Sequence, residues 1–133
     1  MNRLCLMTLV AGAMLAFGAV AGAHAPSSAT KIVLDHASQQ SGENTNLRDF
    51  VGHLESPRKK CLARRTVKLV LHDGNSGTTK LLDTDRTGKN GAWGVGGNII
   101  GADVAHFRVT RKTIGRHDHR RVCKADSTSM RFA

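Results

Sequence analysis

Tyrosine is absent from this chain, tryptophan occurs once, and phenylalanine four times in 133 residues. Phe17 lies in an N-terminal apolar stretch, so few aromatic rings remain for the rest. Single-stranded nucleic acids are gripped by stacking on exposed rings, and such a platform needs more of them. Nucleic acid is therefore set aside as a ligand. Acid is scarce too: Glu43 and Glu55 are the only glutamates, and neither has a carboxylate partner nearby in sequence. That removes the simplest route to paired acid–base chemistry. No serine stands in a nucleophile-elbow motif, and a triad assembled in space leaves no sequence trace. No catalytic residue, cofactor or metal ligand is assigned.

Long apolar runs are missing, with one exception. Residues 4–20, LCLMTLVAGAMLAFGAV, carry no charge and follow Arg3, and small residues then surround Ala23 and Ala25. This pattern predicts a signal peptide over residues 1–25, cut after Ala23 or Ala25. A cut after Ala25 meets Pro26, whose tertiary amide is a poor scissile bond, so both positions stay open. The rival is a membrane anchor, for which the run is near the lower length limit. Its Ala and Gly content and the missing basic flank favour a cleaved leader. Nothing after it spans a bilayer, and the expected location is secreted, extracellular or associated with the cell envelope.

Cysteine is sparse, with three in all. Cys5 leaves with the leader, and export places Cys61 and Cys123 where disulfides persist. Two cysteines allow one intramolecular pairing. The mature chain, about 108 to 110 residues, is small enough for core burial alone to be a tight matter. A bridge across about 60 residues stabilises by roughly 4 kcal/mol in the chain-entropy model.

What the chain holds in excess is positive charge: 20 Lys and Arg against 10 Asp and Glu, a formal +10. Losing Arg3 lowers this by one. Lys59, Lys60, Arg64 and Arg65 flank Cys61, while Arg120, Arg121 and Lys124 flank Cys123. A disulfide draws both groups towards one region. These seven side chains are the candidate anion-binding set, although strand alternation sends some to opposite faces. Charge of this kind also keeps a small exported protein soluble and blunts its edge strands.

Periodicity speaks for β-structure. Residues 26–46 are mostly polar, with KIVLDH as a stray strand, and read as a flexible N-terminal arm ahead of a domain at 47–133. LRDFVGHL sets Phe50, Gly52 and Leu54 on one face. Val67, Leu69 and Leu71 alternate with polar or outward positions, as do Ala105, Phe107 and Val109. Trp93 and Val95 share a face, Trp93 as core. GNSG, GKNG and IGRHDH read as turns. The count is about seven strands without a helical period, which predicts an all-β, antiparallel seven-stranded β-sandwich, prealbumin-like or Ig-like.

Two short motifs invite metals. His117-Asp118-His119 would put both imidazoles on one side of a strand, though Gly115 and Asp118 equally suit a loop. Asp83, Asp85 and Thr87 with Gly88 form half of a calcium loop, but Gly94 stands where the bidentate glutamate belongs. A turn explains the same residues.

The stretch from Leu47 to Asp73 resembles the opening of small secreted bacterial domains of the transthyretin-like, or carboxypeptidase-regulatory-like, family. Phe50, Gly52, Leu54, Ser56, Cys61, Arg65 and Val67 carry the likeness. A glycine turn leading to Trp93, a basic penultimate strand, and Cys123 followed by Ala125 and Ser127 extend it to about residue 129. The resemblance implies a prealbumin-like sandwich that serves as an accessory or structural module. The chain lacks the His, Arg and C-terminal tetrapeptide pattern of the transthyretin-related hydrolases. The expected function is a secreted, non-catalytic module with an interaction or structural role. A basic binding module for anionic envelope or host-surface polymers is the alternative, and a small exported hydrolase the third reading. The expected partner is an anionic polymer or another exported protein.

Overall fold

The computed structural model describes residues 25–39 and 46–132. The expected leader, Ala25 apart, lies outside them, as do residues 40–45 of the polar segment. Alternating apolar residues produce strands almost throughout. In chain order these are β1 (Ser27–Ser28), β2 (Lys31–Gln39), β3 (Leu47–Glu55), β4 (Thr66–Asp73) and β5 (Thr78–Arg86). β6 (Trp93–Asn98), β7 (Val104–Val109), β8 (Lys112–Ile114), β9 (Arg121–Cys123) and β10 (Asp126–Arg131) follow. Two single 3-10 turns, Lys59–Cys61 and His117–His119, interrupt them, and no described residue is in an α-helix.

The strands form three sheets, ordered β2-β3-β6, β10-β7-β4-β5 and β1-β9-β8. All pairings are antiparallel except that of β1 with β9. The first two sheets share one core. Phe50, Leu54, Trp93 and Val95 from one meet Val67, Leu69, Phe107 and Val109 from the other. Phe107 packs edge-on against Phe50 at 5.0 Å between ring centroids and lies 5.5 Å from the Trp93 ring. Trp93 stands opposite Gly52 across β3 and β6, and its indole covers the space a side chain would take there. Its indole N–H has no acceptor among the described residues, so packing alone holds the ring.

Both seams between these sheets are closed by aspartates. The carboxylates of Asp83 and Asp85 on β5 accept the backbone N–H groups of Gly96 and Gly94 on β6, each at 2.9 Å. At the opposite seam Asp126 of β10 accepts the N–H of Ile32 on β2, also at 2.9 Å. Side-chain acceptors thus satisfy edge donors that a ladder would otherwise leave open.

Residues 26–39 correct the reading of a flexible arm. β1 pairs with β9, and β2 pairs with β3 along its whole length through a register shift between Leu34 and His36. Ile32 is in the core, and Leu34 and Ala37 pack against it. The polar residues of KIVLDHASQ face outward, which made the segment look like linker. Counting β1, β2 and the short β8, ten strands stand among the described residues where seven were expected.

Candidate anion-binding cleft

Cys61 and Cys123 are joined, with 5.4 Å between their α-carbons and a separation of 62 positions in sequence. The bond fastens the turn after β3 to β9, and both cysteines are fully buried. Local hydrogen bonds shape the turn. Arg58 O accepts from Cys61 N and Lys59 O from Leu62 N, while the Ser56 hydroxyl donates to Ala29 O and accepts from Arg58 N. Residues 58 to 60 are thereby held on the surface beside β1.

Arg58, Lys59, Lys60 and Arg121 line one cleft of about 610 Å³, together with Ser27 and Ser28. Its lining contains no carboxylate. Lys59 and Lys60 also border a smaller depression with Lys89, so the positive strip continues beyond the cleft. Ammonium and guanidinium groups supply only donors and permanent charge. Such a set suits phosphate, sulfate or carboxylate groups, and its field is screened by salt.

Three of the seven residues expected from sequence are therefore brought together: Lys59, Lys60 and Arg121. Arg64, Arg120 and Lys124 are exposed but do not line the cleft. Arg64 adopts a left-handed backbone, φ 55°, and its charge acts on Lys112. Burial pushes Lys112 below the ordinary lysine range, and Arg65, Arg64 and Arg86 repel its charge further. Arg58 was missed, although it extends the Lys59-Lys60 run by one residue.

Arg65 leaves the anion-binding set. It is 1% exposed, and its guanidinium donates to Thr110 O from two nitrogens and to Thr30 Oγ1, Cys61 O and Lys124 O. None of these acceptors is a carboxylate. Burial pushes its pKa down from the ordinary arginine value. With all five donors engaged, it organises the ground beneath the cleft and has none left for a ligand.

The metal motifs resolve into turns and latches. His117 to His119 form a 3-10 turn, with His117 at φ 47°, so strand alternation does not align the imidazoles. Asp83 and Asp85 point towards β6, as described above. Among the described residues no group of three or more His, Cys, Asp or Glu is placed to hold a metal ion. No helix among them is long and apolar enough to cross a membrane. Compared with family models, with curated proteins and with solved structures, the chain matches none.

Proposed function

We propose that the protein is a secreted, non-catalytic β-sandwich module, prealbumin-like in plan, that binds anionic polymers of the cell envelope or a host surface. The observation that carries this reading is the cleft of Arg58, Lys59, Lys60 and Arg121, whose lining has no acidic residue. Four cations held close together repel one another, and a bound polyanion relieves that repulsion while releasing counterions. The buried disulfide suits an oxidising compartment. The family likeness supports the plan, because the residues that carry it have structural places here. Phe50, Leu54 and Val67 are in the core, Cys61 is bonded, and Arg65 ties the loops.

Retention on immobilised heparin and on polyphosphate tests the reading. A variant carrying Arg58→Gln, Lys59→Gln, Lys60→Gln and Arg121→Gln should elute at markedly lower salt than wild type. A control carrying Arg64→Gln, Arg116→Gln, Arg120→Gln and Lys124→Gln loses the same charge outside the cleft and should elute much later than the first. Equal elution of the two would reduce the cleft to a share of the net charge and end the proposal.

A further inference from the structure

Register arranges the outward side of the β10-β7-β4-β5 sheet in rows. Lys68 stands directly opposite Arg108, with Thr84 and Ser127 at the ends of that row. The next row reads Ser129, His106, Val70 and Leu81, and the one after it Arg131, Val104, His72 and Thr79. Arg86, opposite Thr66, closes the face at its other end. The residues between these, Val67, Leu69, Phe107 and Val109, point inward and are buried, as strand alternation requires.

No aspartate or glutamate occupies these rows. Asp126 stands at the margin, but its carboxylate is held by the Ile32 N–H. Lys68 and Arg108 form no ion pair among the described residues, although like charges directly across a sheet repel. Beside them Leu81 is 53% exposed, and with Val70 it lines a shallow depression of about 790 Å³. The depression shares no lining residue with the cleft near the disulfide.

An occupant must offer negative groups to Lys68 and Arg108 and apolar surface to Leu81. A polyphosphate or a sulfated glycan supplies only the first. An anionic bilayer supplies both, with phosphates at the headgroup level and acyl chains just below. The stems of Lys68 and Arg108 can lie along the apolar patch while their charged ends reach the phosphates. We propose that this sheet face docks on bilayer surfaces rich in anionic phospholipid, with Lys68 and Arg108 on the phosphates and Leu81 entering the interface. The site is independent of the polymer-binding cleft.

The test is co-sedimentation of the exported protein with vesicles of phosphatidylglycerol and phosphatidylcholine, and with phosphatidylcholine alone, at roughly 0.1 M salt. Wild type should sediment with the anionic vesicles and stay in solution with the neutral ones. Lys68→Gln with Arg108→Gln should weaken binding about thirtyfold, as expected for two charges beside an anionic surface. Its thermal midpoint should hold or rise, because a like-charge pair has gone. Leu81→Ser should lose roughly fivefold and become more sensitive to salt. The fourfold cleft variant should bind vesicles like wild type even where it has lost heparin. Equal binding to neutral vesicles would show that phospholipid charge is not what the face recognises and overturn the proposal. So would undiminished binding by the Lys68/Arg108 variant, or loss of vesicle binding confined to the cleft variant.

Discussion

The guanidinium of Arg65 donates to the carbonyl oxygen of Lys124 at 2.8 Å, across 59 residues of chain. The same side chain donates to Cys61 O at 2.8 Å. Arg65 therefore reaches the carbonyl of one half-cystine and that of the residue after the other. Covalent bond and buried arginine fasten the same two segments, and the cleft rests on both.

Replacing Arg65 should be among the most damaging single changes. Arg65→Met strands four buried or part-buried acceptors, each worth about 1 kcal/mol or more when left unpaired. A total loss of about 3 kcal/mol or more would lower the thermal midpoint by roughly 15 °C for a domain of this size. Arg65→Lys should recover little, because a point charge with three donors cannot reproduce the planar fork. Thermal unfolding of oxidised protein measures both. A loss below about 1 kcal/mol for Arg65→Met would show that water replaces the guanidinium.

The disulfide should resist reductant while the fold persists, since both cysteines are fully buried. Thiol attack then requires opening, and the rate of reduction should track urea concentration. Serine at both positions should lower stability by about 4 kcal/mol in the chain-entropy model, for a separation of 62 residues. Alkylation followed by mass spectrometry reports the first, and urea unfolding the second. Fast reduction in the absence of denaturant would contradict the burial.

Much of this was legible in the residues. Val67, Leu69 and Leu71, and likewise Ala105, Phe107 and Val109, alternate so strictly that a one-residue slip would expose every one of them. The cysteines paired by count and compartment. Arg65 was misassigned, yet it shares the parity of Val67, Leu69 and Leu71 and so falls on the core side. Charge and parity point opposite ways at this position, and a buried arginine needs acceptors from distant loops that sequence does not display. β2 was hidden for a related reason: its apolar residues are few, and its pairing with β3 is a tertiary fact. Arg58 and the Lys68–Arg108 row depend on turn geometry and register, neither of which a local pattern reveals.

Gly52 should tolerate no side chain. A β-carbon there would overlap the Val33 carbonyl oxygen and the Trp93 ring. Gly52→Ala must push the indole off its seat next to Phe107, at a cost of about 1 to 3 kcal/mol for an overfilled core. Tryptophan emission reports the ring directly, because Trp93 is the only one in the chain. An unchanged spectrum and midpoint would mean that the two strands part without loss.

The seam between β5 and β6 should open when its acceptors are removed. Asp83→Ala takes the partner from Gly96 N–H, and Asp85→Ala does so for Gly94 N–H. Amide hydrogen exchange at those glycines should accelerate while the centre of β4 stays protected, since opening at a seam is local. Retained protection at Gly94 and Gly96 would show that these carboxylates are not what closes the seam.

His53 gives the outer side of β3 a dependence on pH. Its Nδ1 lies 2.7 Å from Asp35 Oδ2 and its Nε2 3.3 Å from Glu55 Oε1. The hydrogen bond to Asp35 raises its pKa above the ordinary value of 6.5, with Glu55 acting in the same sense and slight burial opposing. Asp35 is free to make this contact because the shift between Leu34 and His36 leaves it out of the ladder. A raised folded-state pKa means that the stabilisation is fully present below the unfolded value. It fades as pH rises through the folded one. Proton NMR titration should find His53 above 6.5 in wild type, and Asp35→Asn should bring it down towards that value. Chain stability near neutral pH should then vary less with pH in the variant than in wild type. If Asp35→Asn leaves the titration of His53 where it was, the Asp35 contact is not formed in solution.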